Sequence, residues 1–182
     1  MTAVRLEIPD VVLIKPSVYG DERGWFSETW NKSVFQDELG HCEFVQDNSS
    51  FSRRGTLRGL HYQIKFPQGK LVRVARGSVL DVAVDLRRSS ATFGQWVSVE
   101  LSSENHHQLY VPEGFAHGFI VRSEHAIFSY KCTDYYHPEY ERCIAWDDPD
   151  LAINWQLDEV GQPTLSEKDA RGTRFGRAEC YR

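Results

Sequence analysis

The sequence predicts an all-β fold, a jelly-roll barrel or sandwich with a few short helices, mainly in the C-terminal tail. Three observations carry this. Apolar residues recur with period two in many short runs, turn signals punctuate those runs, and helical periodicity is weak. The clearest run is Leu80–Leu86, where Leu80, Val82, Val84 and Leu86 alternate with Asp81, Ala83 and Asp85, the pattern of a half-buried strand.

In chain order, Val11–Lys15 reads as the first strand, and Gly20-Asp21 marks a turn before a strand at Trp25–Trp30. Ser33–Leu39 reads as a short helix stopped by Gly40. Strands follow at Glu43–Gln46 and Leu57–Ile64; Pro67-Gln68-Gly69 turns the chain into Leu71–Arg76, and Arg76-Gly77 turns it into Leu80–Leu86. Trp96–Leu101 places Val97, Val99 and Leu101 on one face, and His107–Val111 is the next strand. After the Pro112-Glu113-Gly114 turn come Gly118–Val121 and Ala126–Cys132, and the tail from Asp147 to Ala170 mixes turns with two short helices. Roughly ten short strands in one domain suggest a jelly roll of the cupin type, whose interior can hold one small ligand.

The chain has 182 residues, which suits a single domain over 1–182 with a core that needs no staples. A formal net charge of −5 disfavours a nucleic-acid partner, so an anion has to be met by a local basic cluster. No apolar stretch approaches the roughly 20 residues that span a bilayer. Met1 to Asp10 carries no apolar signal core, and a cytoplasmic location is expected. Cys42, Cys132, Cys143 and Cys180 form no Cys-x-x-Cys pair, so free thiols are expected.

Among the histidines, His61 stands out. It shares strand parity with Leu57, Gly59 and Gln63, where a satisfied core histidine is the plain reading and a base facing a pocket the sharper one. Gly59 within a strand signals a bulge or close approach to a ligand, and Arg58 supplies a planar donor fork suited to phosphate. Alternation sets Arg58 and His61 on opposite faces, so either Gly59 breaks the strand or Arg58 reaches the pocket rim from outside. A metal-binding cupin usually offers two histidines one residue apart on a strand; here Tyr62 and Gln63 follow His61, and adjacent His106-His107 point to opposite faces. No metal or other cofactor is therefore expected.

Tyr130 lies on the apolar, inward parity of Ala126–Cys132, as a structural tyrosine or a pocket acid. Lys70 shares parity with Val72 and Val74; an inward lysine is costly unless it meets an anion, while a lysine at a strand end also snorkels to water. Arg23 and Glu28 flank Trp25-Phe26, and Tyr135-Tyr136 form another aromatic pair; both suit a nucleotide, and both suit ordinary packing. No Gly-x-Gly-x-x-Gly or Walker-type loop is present.

Seven runs in this order go beyond local reading: Asp21-Glu22-Arg23-Gly24-Trp25-Phe26, Phe44-Val45-Gln46-Asp47-Asn48, Leu57-Arg58-Gly59-Leu60-His61-Tyr62-Gln63, Gln68-Gly69-Lys70-Leu71-Val72-Arg73, Asp81-Val82-Ala83-Val84-Asp85-Leu86-Arg87, Pro112-Glu113-Gly114-Phe115-Ala116-His117-Gly118-Phe119 and Leu165-Ser166-Glu167-Lys168-Asp169. Together they resemble the dTDP-4-dehydrorhamnose 3,5-epimerases over nearly the whole chain. The resemblance implies a metal-free cupin homodimer acting on a dTDP-linked 4-keto-6-deoxy sugar. It implies His61 as base, Asp169 as the carboxylate that orients it and Tyr130 as proton donor; Lys70 matches a ligand-binding position, and its charge can stabilise the enolate oxygen. It implies ligand contacts by Arg23, Glu28, Gln46, Asn48, Arg58, His117, Glu141 and Lys168, with Tyr135 as a nucleotide-stacking residue; Phe26, beside Arg23, is a further substrate-binding candidate on its aromatic character. The spacing of Ser166 and Asp169 also fits a helix-capping box, which competes with the catalytic reading of Asp169. Ser49 and Tyr110 depart from the family's common His and Trp. Epimerases that invert only C3 or only C5 share most of these motifs, and a metal-dependent cupin enzyme is the more distant alternative.

Overall fold

The alternation along the chain is realised as antiparallel sheet in the computed structural model, which describes residues 1–40 and 42–182; His41, one of the histidines in the sequence, lies outside the described residues. The elements are β1 (Thr2–Arg5), β2 (Val12–Lys15), β3 (Tyr19–Asp21), β4 (Gly24–Phe26), α1 (Lys32–Leu39), β5 (Gln46–Arg53), β6 (Leu57–Gln63) and β7 (Lys70–Arg76). Then come β8 (Ser78–Asp85), β9 (Trp96–Ser102), β10 (Gln108–Val111), β11 (Phe115–Val121), β12 (His125–Cys132), β13 (Glu141–Cys143) and α2 (Glu167–Ala170). One sheet has the order β1-β2-β10-β7-β12-β5, and a second β13-β6-β11-β8-β9; β3 and β4 pair only with each other. This is the cupin-type jelly roll. Among the described residues no helix is long and apolar enough to cross a membrane.

The facing sides of the two sheets make the main core. Val72, Val74, Leu109 and Phe128 come from the first sheet; Val79, Ala83, Val97, Leu101 and Phe119 come from the second. The outer side of the second sheet is not solvated. Leu57, Leu60, Leu80, Val82 and Val84 pack beneath Leu151, Trp155 and Ala178 of the C-terminal tail. α1 covers part of the other sheet, setting Phe35 against Val12, Ile14 and Leu71. Its start is fixed by Asn31, whose Oδ1 accepts from the Ser33 and Val34 amides, and its end by Gly40 at φ 78°.

This layering changes the reading of β8. Alternation predicts a strand with one wet face, yet every residue from Val79 to Asp85 is buried. The apolar face of Leu80 and Val82 lies under the tail, and the Asp81 face looks into the interior between the sheets. The strand keeps its alternation although both sides are covered, because each buried aspartate finds partners: Asp81 meets His117, and Asp85 meets Arg87 and Thr92.

Three strand expectations shift. The strand expected at Trp25–Trp30 exists only as Gly24–Phe26, because the chain then leaves the hairpin and Trp30 packs on Phe35 and Phe44 at 4.7 and 4.8 Å between ring centres. The strand expected at Glu43–Gln46 starts only at Gln46 and runs to Arg53. Its sequence, Gln-Asp-Asn-Ser-Ser-Phe-Ser-Arg, is polar on both faces, so no apolar period announces it. Gly118–Val121 is the second half of a strand that begins at Phe115. In the tail α2 is the one α-helix among the described residues, a single turn, with 3-10 turns at Leu157–Glu159 and Phe175–Arg177.

Candidate active site

The site begins with a defect in the pairing of β6 and β11. His117 lies opposite His61 and Phe119 opposite Arg58, so β6 spends three residue steps where β11 spends two. The extra residue is a bulge, and a bulge re-aims side chains. Gly59 sits in it at φ 129°, a conformation that L side chains rarely adopt. A Cβ on Gly59 would stand 2.6 Å from Gly118 Cα and 2.8 Å from His117 O. Two glycines therefore let the backbones touch. The close approach read from Gly59 is to the neighbouring strand. The bulge puts Arg58 and His61 on the same side of β6, which the ideal alternation forbids.

Both residues line a cavity of about 380 Å³ between the two sheets. The second sheet and α2 contribute Arg58 and His61 from β6, His117 from β11, Glu141 from β13 and Lys168. The facing sheet contributes Gln46 and Asn48 from β5, Lys70 from β7 and Tyr130 from β12. His61 and Tyr130 thus stand on opposite walls.

Asp169 lies directly behind His61. Its Oδ1 is 2.5 Å from His61 Nε2 and takes the Gly59 amide at 3.4 Å; its Oδ2 accepts from Ser166 Oγ at 2.7 Å. The Ser166 Oγ also accepts from the Asp169 amide at 3.1 Å. The capping and orienting readings of Asp169 are therefore both realised at once. Asp169 is 3% exposed, and burial alone would raise its carboxyl; the bonds from His61 and Ser166 outweigh that and hold it at about 2. Burial pushes the His61 imidazole below the usual histidine range, against the pull of Asp169. The pair at neutral pH is a carboxylate facing a neutral imidazole. Nε2 is committed to Asp169, which leaves Nδ1 with no partner among the described residues.

A second imidazole–carboxylate pair stands beside it. His117 Nε2 lies 2.8 and 3.0 Å from the two oxygens of Asp81, which is fully buried and whose carboxyl burial pushes up. Lys70 makes no hydrogen bond or ion pair among the described residues, and burial lowers its ammonium from the usual lysine range. Burial raises the Tyr130 phenol, so it stays protonated at neutral pH. Arg58 is held by Nε on Ser52 Oγ at 3.0 Å. Gln46 bonds to Asn48 at 3.1 Å, and Asn48 leans on Cys132 Sγ at 3.6 Å. At the cavity mouth Glu141 accepts from Lys168 at 2.9 Å and from Tyr136 at 3.0 Å. Those bonds outweigh burial and keep the Glu141 carboxyl below its usual range.

Four residues singled out in the sequence are not brought to this cavity by the chain itself. Arg23 and Phe26 lie on the β3–β4 hairpin, with Phe26 68% exposed and Arg23 paired to Asp21 at 2.5 Å. Glu28 follows the hairpin and bonds to Asn31 at 3.2 Å. Tyr135 points to solvent, and its neighbour Tyr136 lines the cavity instead. Sequence reasoning passes over Asp81 as a site residue; Ser166, read only as a cap, also holds the carboxylate, and of the Tyr135-Tyr136 pair it is Tyr136 that lines the cavity.

One set of potential metal ligands converges among the described residues: the ligand atoms of His61, Cys143 and Asp169 all lie within 4.8 Å of one another.

The family model described as dTDP-4-dehydrorhamnose 3,5-epimerase matches residues 5–176. A dTDP-4-dehydrorhamnose 3,5-epimerase of Pseudomonas aeruginosa is 58% identical over 182 residues, covering 100% of this chain and 99% of the relative. Among solved structures, a dTDP-6-deoxy-D-glucose-3,5-epimerase of Legionella pneumophila in complex with dTDP-4-keto-L-rhamnose superposes with TM-score 0.94 at 50% identity, over 98% of this chain and 94% of that one. A 3'-monoepimerase of Streptomyces bikiniensis in complex with dTDP-quinovose matches with TM-score 0.87 at 33% identity, over 94% and 86%.

Proposed function

The chain belongs to the dTDP-4-dehydrorhamnose 3,5-epimerase family, and from that membership we propose how it inverts C3 and C5 of dTDP-4-dehydro-6-deoxy-D-glucose to give dTDP-4-dehydro-L-rhamnose. The reaction is an isomerisation in dTDP-rhamnose biosynthesis. The observation that carries the reading is the His61–Asp169 pair on one wall of a cavity whose opposite wall holds Tyr130.

The protons on C3 and C5 are acidified by the C4 ketone, since removing either gives an enolate. His61 takes each proton at Nδ1, and Asp169 steadies the imidazolium that forms. Lys70 meets the enolate oxygen in a site poor in water, where a fixed cation acts more strongly than in bulk. Tyr130 returns a proton to the opposite ring face and is itself reprotonated from solvent. Each centre loses one proton and gains one, so the balance needs no cofactor or metal.

Arg58, Gln46, Asn48, His117, Glu141 and Lys168 bind the substrate around the reacting ring, with Arg58 on the diphosphate. Arg23, Phe26 and Glu28 stand outside the cavity of their own chain. Their part in binding requires a homodimer in which a second copy presents the hairpin, and the exposure of Tyr19, Trp25 and Phe26 supports that arrangement. Tyr135, at the exposed rim, stacks on the base. We infer a cytoplasmic location for the enzyme.

The test is NMR of the product formed in D2O. Deuterium at both C3 and C5 with the L-rhamno configuration is expected. Deuterium and inversion at a single carbon identifies a single-centre epimerase, and a lack of exchange at either carbon overturns the reading.

A further inference from the structure

Cys143 has no task in the reaction described above, yet it sits against the base pair. β13 and β6 place Cys143 directly opposite His61, and Cys143 Sγ lies 3.9 Å from Asp169 Oδ1. A nitrogen, a thiol and a carboxylate oxygen thus converge on one point behind the imidazole, all within 4.8 Å. This donor set suits zinc and its soft relatives, which bind imidazole, thiolate and carboxylate in tetrahedral geometry.

Ideal tetrahedral bonds set the adjustment required. With metal–nitrogen and metal–oxygen bonds of about 2.0 Å, the two atoms stand about 3.3 Å apart, so His61 and Asp169 have to part by about 0.8 Å. A metal–sulfur bond of about 2.3 Å sets sulfur and oxygen about 3.5 Å apart, so Cys143 closes on Asp169 by about 0.4 Å. His61 Nε2 and Cys143 Sγ, within 4.8 Å of each other, also have to stand about 3.5 Å apart, and β13, which carries Cys143, is an edge strand of its sheet. A water completes the fourth position.

We propose that His61 Nε2, Cys143 Sγ and Asp169 Oδ1 form a binding site for Zn2+ whose occupation switches the enzyme off. The inhibition rests on the assignment of His61 as base; the binding does not. A neutral imidazole with a metal on Nε2 carries its proton on Nδ1, the nitrogen that Asp169 leaves free. The lone pair that would accept the C3 and C5 protons is then gone. The balance is simple. The Nε2 proton moves to Nδ1, the thiol proton leaves to solvent, and the +2 of the ion is offset by one thiolate and one carboxylate. The ion sits behind the ring, outside the cavity, so substrate still binds. Inhibition falls on kcat and leaves KM little changed.

The test adds Co2+ and Zn2+ separately to the full-length protein, alongside Cys143→Ala and the near-isosteric Cys143→Ser. With Co2+, wild type is expected to show a thiolate-to-cobalt charge-transfer band and the visible bands of a tetrahedral ion, and both variants to lack the charge-transfer band. With Zn2+, wild-type kcat falls and recovers on chelation. The variants keep turnover without metal within about threefold of wild type and need at least tenfold more Zn2+ for half-inhibition. A wild-type protein without the charge-transfer band, or variants as sensitive to Zn2+ as wild type, overturns the site. A charge-transfer band dependent on Cys143 with turnover untouched upholds the site and overturns the assignment of His61 as base.

Discussion

His61 Nε2 lies 2.5 Å from Asp169 Oδ1, and this one contact decides which nitrogen of the ring can do chemistry. An ionised carboxylate only accepts, so it holds the proton on Nε2 and leaves the Nδ1 lone pair for the substrate. Asp169→Asn offers an amide that can turn its NH2 toward Nε2, which drives the imidazole proton to Nδ1. Loss of an orienting aspartate in the serine-protease triad lowers kcat about 10⁴-fold, so a drop of about 10²–10⁴-fold is expected here with KM little changed. Steady-state kinetics on the purified variant decides it. A loss below tenfold means that Asp169 does not set the tautomer.

Ser166 is expected to act on the reaction through Asp169. It accepts from the Asp169 amide at 3.1 Å and donates to Oδ2 at 2.7 Å, so one hydroxyl caps α2 and fixes the carboxylate. Ser166→Ala removes both bonds. The cap is worth about 1 kcal/mol of stability. The carboxylate, no longer sharing its charge with the hydroxyl, becomes more basic and binds the imidazolium more tightly, so the His61 pKa rises. The acid limb of the kcat/KM profile should move to higher pH, and kcat should fall about tenfold by the usual scale of a misplaced catalytic group. Ser166→Thr, which keeps the hydroxyl, should restore the limb. A merely structural cap would lower the melting temperature and leave the limb in place.

Tyr130→Phe separates removal of a proton from its return. His61 and Tyr130 come from opposite sheets, so loss of the phenol leaves proton abstraction intact and removes the donor on the other ring face. The variant should incorporate solvent deuterium at C3 and C5 while yielding at least tenfold less inverted product, by the usual contribution of a positioned acid. Turnover to product of the normal configuration at the wild-type rate would move the donor role to another group.

Asp85 ties acid stability to a site remote from the cavity. It is fully buried, which by itself raises its carboxyl, but bonds from Arg87 and Thr92 at 2.6–2.9 Å outweigh burial and hold it at about 2. A folded-state pKa below the unfolded value near 3.8 means that the stabilisation is complete above about pH 4 and is lost as pH falls toward 2. The shift corresponds to about 2 kcal/mol at pH 7. Asp85→Asn should therefore be about 2 kcal/mol less stable than wild type in urea at pH 7, and the gap should close progressively below pH 4. A gap that stays constant from pH 7 to pH 2.5 would show that the aspartate acts by shape rather than charge.

Much of this was legible in the sequence, and what escaped follows from where polarity sits. Strands with one apolar face, such as β2, β9 and β12, announce themselves by alternation. β5 does not, because one of its faces lines a polar cavity through Gln46, Asn48 and Ser50, and the other is exposed. The pattern of β8 predicts a strand with a wet face because Asp81 and Asp85 look like solvent residues. Position along the chain cannot say that Asp81 meets His117 from the neighbouring strand. The cavity residues on β6, β11 and β12 were legible through ordered motifs. Tyr136 was passed over for Tyr135, because which of two adjacent tyrosines faces inward depends on the loop after β12.

The last expectation concerns the device that lets Arg58 and His61 share the cavity. The bulge in β6 exists because Gly59 and Gly118 let two backbones meet without side chains. A Cβ on Gly118 would lie 2.8 Å from Arg58 O and 3.2 Å from Gly59 Cα, both backbone atoms that cannot swing aside. Gly118 is not at positive φ, so Gly118→Ala tests contact without the conformational penalty that Gly59→Ala adds at φ 129°. Relieving the clash has to push β6 away from β11, which turns the Arg58 and His61 side chains. The cost of such overpacking is about 1–3 kcal/mol, measurable by chemical denaturation. Because the displaced strand carries the base, kcat should fall at least tenfold in protein that is still fully folded at the assay temperature. A variant destabilised by that amount but with wild-type kcat would mean that the cavity wall tolerates the shift, and that the glycine pair serves packing alone.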